Sequence, residues 1–187
     1  MDAQFIIKAS LVFCALSAAF SFGGMFMPER VPLANPAGGL NLHEIGGHLI
    51  WGLLPGALFL SARYAVATGF FAVLIDSDHM IALFRLDALP RMSHSIAFAA
   101  ISIVVLMLIF GRKDYRLGAA ALAAVLAHLS FDTFAGNDGK FPLLVPFYGH
   151  AISFPNADWI FFEAAAAAVI LAVTIMVRRQ SRKLLAV

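Results

Sequence analysis

The chain has 187 residues, 61% of them hydrophobic and 13% charged, with a formal net charge of +2 and a mean hydropathy of +0.88. A soluble domain is roughly 45–50% apolar and about 25% charged, so an ordinary soluble globule is excluded, and so small a net charge argues against nucleic acid as a partner. A single cysteine, Cys14, excludes an internal disulfide and a thiolate metal cluster.

Crossing a bilayer as helix takes roughly 20 apolar residues. Six runs qualify, at 5–27, 42–62, 63–84, 94–111, 117–136 and 158–177, and they predict an all-α polytopic membrane bundle forming a single transmembrane domain over 1–187. The first run follows Lys8 but is long and lacks a small-x-small cleavage site, so it reads as a retained helix rather than a signal peptide. The second carries Gly46, Gly47, Pro55 and Gly56, which predict a kinked or re-entrant helix. The third ends in LIDSDHM (74–80), and the fourth opens at SHSIAF with Ser93 as the expected N-cap. The fifth ends in HLSFD (128–132). Prolines 142, 146 and 155 and glycines 136, 139 and 149 forbid one helix over 136–156, so an interfacial outer loop is expected there, covering the site. The sixth runs into the basic tail RRQSRK.

Lysine and arginine in short loops set orientation. With the tail cytoplasmic, six spans put nine basic residues inside and four outside (Arg30, Arg85, Arg91 and Lys140), with both termini cytoplasmic. All six histidines (His43, His48, His79, His94, His128 and His150) then fall in the outer half, with Glu44, Asp76, Asp78 and Asp132. Ionisable groups inside a membrane are costly, so they pair, bind metal or line water. Histidine nitrogens with carboxylates and no thiolate suit a divalent metal: zinc, manganese or iron. The pairs Glu44/His48 and His128/Asp132 are i, i+4 and Asp76/His79 is i, i+3, so three helices each present two polar groups on one face.

Each piece also has a plain structural reading. His48 can be a packed helix histidine, Asp76 can pair with Arg85 or Arg91, and His128–Asp132 can be an interhelical hydrogen-bond pair. Their joint placement on one side favours a metal site. His43, Glu44 and His150 are left without a role, and the oligomeric state is undetermined.

In order, GGHLI (46–50), LIDSDHM, MSHSI (92–96) and AHLSFDTFAGNDGKFPLLVPF (127–147) resemble the small bacterial membrane-bound metal-dependent hydrolases, which are distantly similar to zinc-dependent phospholipase C. The resemblance covers a core of about 42–147 and leaves the first and last helices outside it. Ile75 stands where the family has proline, and Leu89 where it often has histidine. The resemblance implies metal ligands for one or two zinc-type ions drawn from His48, Asp76 or Asp78, His94, His128 and Asp132, with Asp132 bridging. Whichever of Asp76 and Asp78 is not a ligand is the expected general base or a partner to a histidine, and His79 is the expected acid. The implied activity is hydrolysis of a phosphate ester or ester of a lipid or other amphiphile, at the outer face of the bacterial cytoplasmic membrane, with Arg91 and Lys140 as candidate headgroup contacts. Rival readings are a structural subunit of a membrane complex and a metal or proton transporter. A di-iron oxygenase fits poorly, because no paired histidine boxes occur.

Overall fold

In a computed structural model, residues 2–27, 33–34, 41–84, 89–136 and 139–185 are described. Arg30 and Arg85, two of the four basic residues expected outside, fall beyond them. Six α-helices carry the fold: α1 (Ala3–Gly23), α2 (Leu42–Gly56), α3 (Ala62–Leu74), α4 (Ile96–Phe110), α5 (Tyr115–Phe134) and α6 (Trp159–Leu185). Four strands of two residues complete it: β1 (Leu33–Ala34) pairs with β2 (Leu89–Pro90), and β3 (Lys140–Phe141) with β4 (Ile152–Ser153), both antiparallel. The all-α expectation holds.

Helix starts follow local chemistry. Asp2, Asn41, Ser95 and Asp114 each accept a bond from a backbone N–H three residues on, at 2.9–3.2 Å, satisfying first-turn donors that helix geometry leaves free. The fourth helix is therefore capped by Ser95 rather than Ser93, and His94 lies in the turn before it. Pro55 falls in the last turn of α2, which tightens into 3-10 geometry over Ala57–Phe59 and stops at Leu60, whose φ of 54° reverses the chain. The expected kink is thus a helix end.

Helix α5 is the axis. It packs against α2, α3, α4 and α6, and its stripe Ala119, Ala120, Ala121, Ala123, Ala124 and Ala127 is buried. Small side chains let backbones approach where lipid supplies no hydrophobic drive between helices. At Gly52 of α2 a Cβ would lie 2.8 Å from Gly69 Cα on α3, so these helices touch backbone to backbone.

The largest departure from expectation is the third span. Instead of a helix to residue 84, α3 stops at Leu74 and Ile75–Phe84 runs in 3-10 turns, with Asp76 at φ −74°, ψ 17°. Short polar side chains in IDSD compete with the helix for backbone bonds. The freed Ile75 carbonyl accepts from Ser17 Oγ at 2.8 Å and Ser93 Oγ at 3.3 Å, while Ser77 Oγ donates to the Cys14 carbonyl at 3.3 Å. Irregular backbone away from water is tolerated where protein satisfies it, and here α1 and Ser93 supply these partners.

Among the described residues three stretches, Ala3–Phe26, Tyr115–Phe134 and Asn156–Lys183, are long and apolar enough to cross a membrane, rather than the six expected. At 1.5 Å per residue the 13 to 15 residues of α2, α3 and α4 reach only about 20–22 Å, short of a ~30 Å hydrocarbon core. The chain ends are polarised. Tyr64 donates to Asp114 at 3.0 Å and Arg63 covers the Phe5 ring, so the starts of α1, α3 and α5 share one end, and the histidines gather at the other.

Candidate metal centre

Four elements converge at that far end. Helix α2 brings His48, the turn after α3 brings Asp76, Asp78 and His79, the turn before α4 brings Arg91 and His94, and α5 brings His128 and Asp132. All but Arg91 are buried, with His94, His128 and Asp78 at 0% exposure. His48 reaches the centre because Gly47 lets α2 ride against α5: a Cβ there would fall within the Phe131 ring.

Both central carboxylates straddle the same gap. His48 Nε2 lies 3.2 Å from Asp76 Oδ2 and 3.4 Å from Asp132 Oδ1. On the other side, His128 Nε2 lies 3.4 Å from Asp76 Oδ1 and 3.6 Å from Asp132 Oδ2, and His94 Nε2 lies 3.5 and 4.0 Å from the same two oxygens. Each aspartate thus offers one oxygen to the His48 side and the other to the His94–His128 side. His79 Nε2 approaches Asp76 Oδ1 at 3.6 Å, and Glu44 stands 3.9 Å from His48.

These residues fit a metal by their own chemistry. Tetrahedral zinc with ligands near 2.0–2.1 Å separates its donor atoms by about 3.3 Å, and the closest nitrogen–oxygen pairs fall around that value. The His128 Nδ1–H donates to the Ala72 carbonyl at 2.8 Å, so Nε2 carries the lone pair. That lone pair faces His94 Nε2 at 2.9 Å. Asp76 Oδ1, buried among three histidine nitrogens, has no hydrogen-bond partner, and neither does Asp78 Oδ1. Buried carboxylate oxygens without hydrogen-bond partners, set among histidine nitrogens, suit a cation. The sets His48–His128–Asp132, Asp76–His94–His128 and Asp76–Asp78–His79 can each hold a metal ion.

A cation already touches the centre. The Arg91 guanidinium lies on His94 Nε2, 3.2 Å from Asp132 Oδ2 and 3.7 Å from Asp76 Oδ1. Burial opposes its charge, but the Asp132, Asp76 and Asp78 carboxylates outweigh burial and hold its pKa above the ordinary arginine value. Reading Arg91 as a headgroup contact or a partner of Asp76 did not anticipate its reach to His94 and Asp132. Its place three residues before His94 was the available signal.

Other expected positions separate from this group. His43 is exposed against Phe131, and His150 is exposed beside Tyr148. Lys140 is exposed on β3. Asp78 is displaced from the gap, meeting His94 only on its Nδ1 side at 3.9 Å. The connection between α5 and α6 folds over the site as expected: Phe141 is fully buried and stacks on His94 at 6.4 Å, and the Leu143 carbonyl accepts from Ile96 N at 3.1 Å. Outside this cover runs an apolar groove of about 360 Å³, bounded by Ile96, Ala97, Ala100, Leu144, Phe147 and Tyr148. No family model, curated protein or solved structure matches the chain.

Proposed function

We propose that the chain is a six-span, membrane-embedded metal-dependent hydrolase of the family it resembles. It acts on a phosphate ester or ester of a lipid or other amphiphile at the outer face of the cytoplasmic membrane. The observation that carries this reading is the pair of carboxylates, Asp76 and Asp132, each presenting one oxygen to His48 and the other to His94 and His128. Two neighbouring ion positions sharing two carboxylates suit displacement at a phosphoryl or acyl centre.

His48, Asp76, His94, His128 and Asp132 would hold the ions, and zinc-type ions supply Lewis acidity and water activated near neutral pH. Around them the chain's own groups take distinct tasks. His79, beside Asp76 at 3.6 Å, is suited to deliver a proton from Nε2 to a leaving oxygen. Arg91 offers planar donors to a substrate oxyanion. Phe141 shields His94 from solvent. The apolar groove and the bare Phe147 ring, 91% exposed, favour an amphiphile.

A second reading rests on Arg91. Its contacts to Asp132, Asp76 and His94 balance the carboxylates without any metal, as in a structural subunit with a buried ionic core. Metal content of the purified, full-length protein separates the two. About two zinc per chain supports the hydrolase, iron would redirect the assignment to oxidative chemistry, and none would leave the structural reading.

A further inference from the structure

Ser93 lies between two parts of the site. Its hydroxyl is fully buried, 3.3 Å from the Ile75 carbonyl, 3.5 Å from Asp78 Oδ2 and 3.1 Å from His94 Nδ1, and its backbone N–H donates to Ser21 Oγ at 3.2 Å. A serine hydroxyl has one proton and two lone pairs. The Ile75 carbonyl can only accept, so a hydroxyl proton directed there, or to the Asp78 carboxylate, leaves a lone pair for His94. On the other side of the ring, the Arg91 guanidinium, which can only donate, lies on Nε2. These two contacts favour the ring proton on Nδ1 and the lone pair on Nε2; the His128 Nε2 lone pair, 2.9 Å away, then faces a second acceptor, an arrangement that a shared cation satisfies.

We propose that Ser93, backed by Asp78, is a positioning residue that locks His94 in its Nδ1–H tautomer and aims the Nε2 lone pair into the centre. This rests on the metal-centre reading above. It gives Asp78 a task other than ligation: its carboxylate stands on the Nδ1 side, 3.9 Å from that nitrogen, where it orients the hydroxyl. His128 reaches the same tautomer through the Ala72 carbonyl. The site thus has two histidines matched in polarity by unlike partners, one a backbone carbonyl and one a side chain that mutation can remove. Outer partners of metal-binding histidines typically contribute 10- to 100-fold in metal affinity.

The test uses the full-length protein, solubilised and labelled with 15N-histidine. Long-range proton–nitrogen correlations of the metal-free protein read the tautomers, with His94 assigned by its loss in His94→Gln, and cobalt(II) titration reads affinity. Wild type should show Nδ1-protonated His94 and His128. Ser93→Ala should redistribute the His94 proton between its nitrogens, leave His128 unchanged and weaken cobalt binding 10- to 100-fold, and Ser93→Thr should restore both. A role in packing alone would lower thermal stability without moving the tautomer. An unaltered His94 pattern with cobalt affinity within about twofold of wild type overturns the proposal. If Ser93→Ala does not fold, Ser93→Cys, near in size but a poor acceptor, is read by the same two outcomes. Absence of cobalt uptake by wild type would sink the metal-centre reading, while the nitrogen pattern would still decide whether Ser93 sets the tautomer.

Discussion

Replacing Asp132 by asparagine separates the two readings of the centre by magnitude as well as by outcome. Asp132 Oδ1 lies 3.4 Å from His48 Nε2, and Oδ2 lies 3.2 Å from Arg91 and 3.6 Å from His128 Nε2. Asparagine keeps the shape but loses the charge and half the acceptor capacity. If Asp132 bridges ions, zinc at a hundred times its dissociation constant stabilises wild type by about 2.7 kcal/mol. For a chain of this size each kcal/mol moves the melting temperature by roughly 2–4 °C, so zinc should raise it by about 5–11 °C. In Asp132→Asn that increment should vanish, and zinc per chain should fall by at least one ion. If the centre is an ionic core balanced by Arg91, the variant loses up to about 3–5 kcal/mol whether or not zinc is present, because a half-buried cation loses its nearest carboxylate. If the aspartate is only an interhelical hydrogen-bond partner, the loss is roughly 0.6 kcal/mol and again indifferent to zinc. Thermal unfolding of both proteins across a zinc titration, with metal analysis, decides. Equal zinc-dependent shifts in wild type and variant would remove Asp132 from the centre.

Further expectations follow from neighbouring features. His43→Ala should retain full metal content by elemental analysis, since the ring is exposed and stands outside the four-histidine group. Gly47→Ala drives a methyl into the Phe131 ring, so it should cost about 1–3 kcal/mol and shift His48 enough to lower zinc occupancy, read by unfolding and metal content together. Phe147→Ser should reduce turnover of an ester presented in vesicles while leaving metal content and a water-soluble ester unaffected; equal loss on both substrates would deny the ring a membrane role. A reporter fused after residue 187 should behave as cytoplasmic, given nine basic residues expected inside against four outside, and a periplasmic signal would place the centre on the opposite face.

Local spacing made much of the site readable. His128 and Asp132 sit one turn apart on a long helix, an i, i+4 spacing that alone puts them on one face, and both face the gap. The gathering of His48, Asp76 and His94 was also legible, because spans of alternating direction bring their polar ends to one side. Helix lengths were harder. Hydropathy over 63–84 runs on past Leu74, but whether the backbone stays helical through IDSD depends on hydroxyl donors that Ser17 and Ser93 provide from elsewhere in the chain. Ser93 itself has the composition of a cap and was read as one, yet Ser95 takes that bond to Phe98 N and leaves Ser93 to the interior. Arg91 carried only one weak sign of its direction, its place three residues before His94, since a loop arginine beside a membrane surface and one turned inward otherwise look alike in sequence.

The α2–α3 hairpin bears on how such a centre is assembled during synthesis. Two short helices closed by Leu60 and joined backbone to backbone at Gly52 and Gly69 form a unit that can pack before the rest of the chain is made, bringing His48 and Asp76 together as part of the centre. The remaining donors arrive later, on α4 and α5, and Asp132 emerges only after some seventy per cent of the chain has been translated. Until α5 inserts along the hairpin, Asp76 has no His128 and the small-residue surfaces have nothing to close upon. Completion of the polar centre therefore coincides with arrival of the axial helix, and a chain stalled before it would leave the Asp76 carboxylate and the His48 ring without the partners that bury them.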